Sequence, residues 1–286
     1  MVFLSALNVA NADVLGFSVG TQFWGGYDVQ GDVRSSVIEN NTVGINFNNN
    51  SDLNFFFSLE HPVPFLPNFK LQQNNIQGSG LIPIQDPNFL NGRSVMLRGD
   101  VDLSHTGLTL YYEILDNWLN LDLGLSVKYF DGYTRFKYQD IIDDETNFDD
   151  LIPMLYAQAQ FDLPLTGFSV AATAEALSFD SNKVTDLDVA LKYQNKLGFG
   201  VDLGFRSLDV DLKNINSFKS DLTTDGFYLG ANFNFWIDPD YEAPIELSFY
   251  HINPHQQQFV SNVQVHLGQS EVFWPWSTHS LVWYAQ

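Results

Sequence analysis

Between Trp118 and Tyr129 the chain alternates strictly: Leu119, Leu121, Leu123, Leu125, Val127 and Tyr129 stand against Asn120, Asp122, Gly124, Ser126 and Lys128. A period of two puts every apolar side chain on one face of an extended strand and every polar or small one on the other, a pattern no helix produces. It recurs in Leu187, Val189, Leu191 and Tyr193 against Asp186, Asp188, Ala190 and Lys192, and in Phe199, Val201, Leu203 and Phe205 against Gly200, Asp202, Gly204 and Arg206. A further copy sets Phe227, Leu229, Ala231, Phe233 and Phe235 against Gly226, Tyr228, Gly230, Asn232 and Asn234.

A soluble sandwich also alternates, but its strands average about five to six residues. The runs here approach the roughly nine to eleven residues that a tilted membrane strand needs. The expectation is an all-β fold, an antiparallel up-and-down transmembrane β-barrel with about ten strands, eight being the alternative. The strands fall near 14–24, 52–60, 68–77, 101–115, 118–130, 150–161, 168–180, 186–194, 199–212 and 222–235.

Short connections rich in Pro, Gly and Asn (61–67, 116–117, 162–167 and 195–198) alternate with the segments 25–51, 78–100, 131–149, 181–185 and 213–221. In a bacterial barrel the short turns face the periplasm and the longer loops face outward. Trp24, Trp118, Tyr129, Phe130 and Tyr193 lie near strand ends, where aromatic girdles sit.

Composition narrows this further. No stretch approaches the ~18 apolar residues of a membrane-spanning helix. With 13 Lys+Arg against 34 Asp+Glu, a formal charge of −21 argues against nucleic acid as a partner. Cys is absent, which removes disulfides and thiolate metal sites. Residues 1–12 carry an apolar run ending in Ala10-Asn11-Ala12, the small-x-small pattern of a signal peptide whose positive start is missing. The expected organisation is this truncated signal remnant, a barrel over 13–235 and an extension over 236–286. The extension has no Lys or Arg but holds four of the six His and four of the six Trp. It reads either as an appended segment or as read-through sequence, the second being favoured.

The segments SLEHPVPFLPNFKLQ, DLSHTGLTLYYEILDNWLNLDLGLSVKYFDG, IPMLYAQAQFDLPLTGFSV, LGFGVDLGFRSLDVDL and DGFYLGANFNF resemble those of a small family of proteobacterial outer-membrane β-barrel proteins of unassigned activity. The resemblance covers about Asp13 to Phe235. It implies export to the Gram-negative outer membrane and carries no catalytic residue. The partners it implies are outer-membrane lipid, lipopolysaccharide and, during biogenesis, the barrel-assembly machinery, with the chain acting as a monomer.

Candidate chemistry is sparse. Polar positions assigned to the lumen face are Glu60, Lys70, Glu113, Asp122, Lys128, Glu175, Asp188, Lys192, Asp202 and Arg206, read as stabilising ion pairs rather than an ion path. Asp140, Asp143, Asp144, Glu145, Asp149 and Asp150 form an acidic cluster without the spacing of a calcium loop. His105, with Asp102, Ser104 and Glu113 nearby in sequence, suggests an outer-membrane hydrolase, but no nucleophile motif accompanies it. His251 and His255 have a metal-compatible spacing only on a helix, which Pro254 opposes. No catalytic, cofactor or metal residue is assigned. The sequence favours a mostly plugged barrel with a structural or surface-interaction role over a narrow pore for small solutes, and both over a lipid- or peptide-hydrolysing enzyme.

Overall fold

A computed structural model of the chain describes residues 15–34, 42–63, 65–84, 94–179, 182–215 and 218–237, with two short pieces at 246–247 and 263–264. Residues 1–12 and nearly all of 236–286 lie outside the described residues, and with them the expectations for a signal remnant and a separate tail. The strands are β1 Leu15–Arg34, β2 Thr42–Glu60, β3 Asn68–Asn74, β4 Gln77–Ile84, β5 Val95–Asp102, β6 His105–Leu115, β7 Leu119–Tyr138, β8 Ile142–Asp162, β9 Phe168–Phe179, β10 Asn182–Gln194, β11 Phe199–Ile215 and β12 Phe218–Ile237. A two-residue pair, β13 Glu246–Leu247 and β14 Val263–Gln264, stands apart from this sheet.

Ten strands close a ring in the order β1-β2-β3-β6-β7-β8-β9-β10-β11-β12, with β12 pairing back to β1 and every pairing antiparallel. Along the membrane band, closure gives each strand a hydrogen-bonded neighbour on both sides, which a hydrocarbon environment demands. The ring's outer face is a continuous apolar band. Leu125 is 61% exposed, Leu203 56%, Leu229 61% and Phe23 52%, whereas the alternate positions Ser126, Asp202, Tyr228 and Trp24 are buried inside. Along β7 the band runs from Leu119 to Tyr129; at about 3.4 Å per residue and about 40° of tilt this rises about 26 Å, the height of a lipid-facing belt. The chain is therefore an outer-membrane β-barrel, with the short turns and the end of β12 at its periplasmic rim.

The strands outlast the membrane. Beyond the apolar band the same period of two continues in the opposite phase. In β11 the outward Phe199, Val201, Leu203 and Phe205 give way to inward Leu208, Val210 and Leu212, each at most 1% exposed. In β7 the outward series ends at Tyr129 and the inward one begins with Phe130 and Phe136. β1 and β2 reverse face by a different device, a bulge. Register slips between Trp24 and Asp28 against β12 and between Gly25 and Val29 against β2, with Gly26 at φ 67° and Asn49 at φ 61°. Gly and Asn are the residues that adopt this left-handed conformation at least cost. Odd positions that face lipid below the bulge (Phe17, Val19, Phe23) are followed by buried odd positions above it (Tyr27, Val29, Val33).

The upper region is a sandwich, because the ring's pairing changes there. β3 and β6 are interrupted at Asn75–Ile76 and Leu103–Ser104, and the hairpin β4–β5 takes over, with β5 pairing to β7. β4 lies against β2 without joining its ladder, and β9 pairs with β8 only up to Leu155. The sheet β4-β5-β7-β8 thus faces the sheet β2-β1-β12-β11 across one apolar core containing Phe47, Val29, Leu97, Val101, Phe136, Phe148, Leu208, Val210 and Leu222. A Cβ on Gly80 or Gly99 would strike the Phe47 ring, so both glycines let the two sheets close on it.

These findings correct two expectations. The segments read as connections on the outer side are mostly strand: residues 25–34, 42–51, 78–84, 95–100, 131–138, 142–149, 182–185, 213–215 and 218–221 all belong to the ladder. Most of their apolar residues, among them Val29, Phe47, Leu97, Phe136 and Phe148, point into the core, while Leu81, Met96 and Tyr133 are exposed. Trp24 and Phe130 are not girdle residues, being 1% and 0% exposed inside the barrel, because both are even positions in stretches whose odd positions face outward. Trp118, Tyr129 and Tyr193 do lie exposed at the belt's edges.

The two faces respond to different substitutions. Phe136→Ala, which empties a fully buried site of the sandwich, lowers unfolding stability by about 3–5 kcal/mol. Leu125→Arg, midway up the lipid face, costs about 2–4 kcal/mol. Urea unfolding from lipid vesicles followed by tryptophan fluorescence measures both, and a Phe136→Ala variant as stable as the parent chain would show that the sandwich core contributes nothing.

Candidate functional site

The lumen has three tiers. Uppermost is the apolar sandwich core, which among the described residues packs across the axis. Beneath it lies a cluster of four buried charges. Lys128 Nζ contacts Glu175 and lies 2.8 Å from Asp186 Oδ2. Arg206 grips the same carboxylate in bidentate fashion, Nε donating to Oδ1 at 2.9 Å and Nη2 to Oδ2 at 2.6 Å. Its remaining Nη1 donates to Asn74 Oδ1 at 2.6 Å, and its guanidinium stands 5.3 Å from the Trp24 ring centroid. Thr109 Oγ1 donates to Glu175 Oε1 at 3.4 Å. Two cations and two carboxylates balance, which is the condition for holding charges in a low-dielectric interior at tolerable cost. Gly226 makes the cluster's packing possible, since a Cβ there would collide with Trp24 and Tyr27.

The third tier is a cavity of about 600 Å³. Gly16, Leu115, Asp116, Asp162, Leu163, Gly167 and Phe168 surround its mouth at the short-turn end, so it opens to the periplasm. Its walls carry Glu60, Glu113 and Asp122 from β2, β6 and β7, and Asp188 and Asp202 from β10 and β11. Neutral donors hold these carboxylates. Tyr111 Oη donates to Glu60 at 3.0 Å, Asn68 Nδ2 to Glu113 at 3.0 Å, Gln158 Nε2 to Asp122 at 3.2 Å, Tyr228 Oη to Asp188 at 3.1 Å and Asn232 Nδ2 to Asp202 Oδ2 at 3.0 Å. The two lysines of the walls are engaged elsewhere: Lys192 donates to Gln160 at 3.4 Å and Lys70 lies 5.5 Å from the Phe56 ring centroid.

The ten polar positions assigned to the lumen divide between these tiers. Lys128, Glu175 and Arg206 join in the sealed cluster; Glu60, Lys70, Glu113, Asp122, Asp188, Lys192 and Asp202 line the cavity. Sequence reasoning missed Asp186, the carboxylate that both cations share, although its parity with Asp188 and Lys192 marks it as inward. It also expected a mostly plugged interior, whereas the periplasmic half holds a cavity of about 600 Å³.

The residues around His105 do not assemble. Its Nδ1 lies 3.0 Å from the Leu103 carbonyl and its ring 4.6 Å from Phe130, centroid to centroid. Ser104 Oγ accepts the Ile76 N–H at 3.1 Å. Asp102 accepts the Ser104 N–H at 2.8 Å and Gln77 Nε2 at 2.9 Å, while Glu113 sits in the cavity below. The acidic cluster lies on the β7–β8 hairpin above the membrane. There Arg135 binds Asp143 through two charge-assisted hydrogen bonds of 2.7 and 2.6 Å, which hold that carboxyl below its ordinary range. Among the described residues no three His, Cys, Asp or Glu come together closely enough to hold a metal ion.

No family model and no curated protein matches the chain. Solved structures do, distantly. The attachment invasion locus protein Ail of Yersinia pestis is 12% identical, covering 77% of this chain and 99% of its own, at a TM-score of 0.33. The toluene transporter TodX of Pseudomonas putida is 9% identical over 77% of this chain and 69% of its own (TM-score 0.33), and a Pseudomonas aeruginosa FadL homologue 10% identical over 76% and 90% (TM-score 0.28). Likeness at this level carries no role across. The membrane assignment rests on the closed ring and its lipid-facing band.

The charge cluster makes a sharp prediction. Asp186→Ala leaves Lys128 and Arg206 buried against a single carboxylate and destabilises the barrel by about 3–5 kcal/mol. Replacing the pair together, Asp186→Leu with Arg206→Met, costs distinctly less. A double-mutant cycle by urea unfolding gives the coupling, and additive effects would mean that the two side chains do not interact.

Proposed function

We propose that this chain is a sealed outer-membrane barrel with a structural and surface-interaction role, its sandwich presenting an acidic outer face at the cell surface. The observation that carries the reading is the doubly closed axis: a neutralised charge cluster topped by a packed apolar core. A conduit needs neither, and a pore would keep its lumen polar throughout. A sandwich core above the membrane instead stiffens the strands that display the outer face. That face carries Asp131, Asp143, Glu145 and Asp149 on β7–β8 and Asp209, Asp221 and Asp225 on β11–β12, with Arg135 and Lys137 as local counter-charges. Divalent ions bridging these carboxylates to lipopolysaccharide phosphates would anchor the rim in the outer leaflet. That one chain closes the ring by itself supports a barrel acting as a monomer surrounded by lipid.

Planar-bilayer recording of the purified full chain is the test. The expected result is no current above the bare membrane in molar potassium chloride, under conditions where the heat-dependent gel mobility of a folded barrel is retained. Discrete openings would overturn the sealed reading and favour the narrow pore.

A further inference from the structure

The hollow periplasmic half has no part in sealing the barrel. Its charge balance sets it apart from the neutral cluster above. Seven carboxylates line it or its mouth, against Lys70 and Lys192 as the only cations, and among the described residues none of the seven is ion-paired. A second observation points to what is missing. Asp202 is 5% exposed and lines the cavity, yet its Oδ1 has no hydrogen-bond partner among the described residues; the Oδ1 of its neighbour Asn232, also in the lining, has none either. Buried acceptors of this kind are costly unless a donor reaches them. Residues 236–286 contain no Lys or Arg, so that part of the chain offers no permanently cationic side chain to the mouth.

The distribution of charge selects the ligand class. The carboxylates fall into groups on separate walls, Glu113 in register with Asp122 beside Glu60 on one side and Asp188 with Asp202 on the other, and among the described residues no three are close enough for a metal ion. In the ten-strand ring β6 and β11 lie five strands apart, so Glu113 and Asp202 occupy opposite walls, as do Asp122 on β7 and Asn232 on β12. At about 4.8 Å between strands and about 40° of tilt, opposite backbones are roughly 20 Å apart. Cationic groups separated along a flexible chain meet such a wall better than a point charge does. Tyr111, Tyr156, Tyr228 and Phe56 supply aromatic surface between the carboxylates, suited to methylene segments and to ammonium groups over ring faces. About 600 Å³ lies within the usual range for small-molecule sites, roughly 300–1,000 Å³.

We propose that the periplasmic cavity is a binding site for a linear aliphatic polyamine, with Asp202 and Asn232 accepting one ammonium group and Glu113 and its in-register neighbour Asp122 another on the opposite wall. The proposal does not depend on whether the barrel conducts.

The test is calorimetric titration of spermidine into the full-length folded barrel in neutral detergent at low ionic strength. Saturable binding of one molecule per chain is expected, weakened about tenfold or more by Asp202→Asn and, separately, by Glu113→Gln, each removing one charge-assisted contact. Lys192→Met removes a competing like charge and tightens binding. Heat-dependent gel mobility confirms that each variant is folded, and either carboxylate variant alone suffices if the other fails to assemble. Absence of saturable binding at millimolar spermidine, equal affinity in a folded carboxylate variant, or displacement of spermidine by an equal concentration of magnesium would each overturn the proposal.

Discussion

Backbone hydrogen bonding in a medium without water is the constraint from which the rest of this architecture follows. In hydrocarbon every peptide group must find a partner inside the sheet, so the ten strands close on themselves and turn their large apolar side chains outward. The same strands then leave the bilayer and enter water, where the hydrophobic effect requires the reverse. A ladder cannot rotate about its own axis to change faces. The chain either shifts the parity of its apolar residues, as between Phe205 and Leu208, or inserts a bulge, as at Gly25–Gly26 opposite Asn49. Once the apolar side chains point inward the ring has no reason to stay round, and it flattens into two packed sheets.

The charge cluster sits where these two regimes meet. Above it the interior is dry and apolar; below it the interior is polar and open at one end. Arg206 is suited to this boundary because its planar fork can satisfy one carboxylate bidentately, donate sideways to Asn74 and lay a face on Trp24 without water. Lys128, a compact ammonium, completes the group by joining Asp186 to Glu175. A buried cluster of this kind adds little net stability over an apolar replacement. What it adds is registration, because β3, β7, β9, β10 and β11 must all be correctly placed for its hydrogen bonds to form.

Much of this was written in the alternation, and what was not has physical reasons. The lipid-facing halves of the strands read clearly, since lipid tolerates only large apolar side chains at every second position. The extramembrane halves are harder to read, because their inward residues (Val29, Val33, Val43, Ile45, Phe47) are interspersed with Asn, Asp and Gly in stretches that resemble loops. The parity switch in β11 was nonetheless present in the letters, as Leu208, Val210 and Leu212 follow Phe199 to Phe205 out of phase. In β1 and β2 no count of parity could have shown it, because the bulge reverses the face while the apolar residues remain odd. Which polar residues face the lumen follows from alternation; which of them meet does not. Asp186 reaches Lys128 across the interior from β10 to β7, a contact fixed only once the whole ring has closed. The cavity belongs to the same class of property, because a void depends on which large and small side chains face each other, as with the Tyr228 ring seated over Gly204.

The seal also determines what a lumen site can respond to. A polar cavity in an open barrel would see both compartments, and its occupancy would reflect flux as well as affinity. On the sealed reading proposed above, the cluster and the sandwich close the outer end and the cavity equilibrates with the periplasm alone. Its unpaired carboxylates lie in an enclosure walled by the sheet and, outside that, by lipid, where an attractive field falls off more slowly than in bulk water. Neutral donors from Tyr111, Asn68, Gln158, Tyr228 and Asn232 stabilise those carboxylates without neutralising them. Had the fold required only stability here, ion pairs like those one tier above would have served. The contrast between a neutral upper tier and an anionic lower tier, built on the same strands within a few residues of each other, separates the part of the lumen that closes the barrel from the part left free to bind.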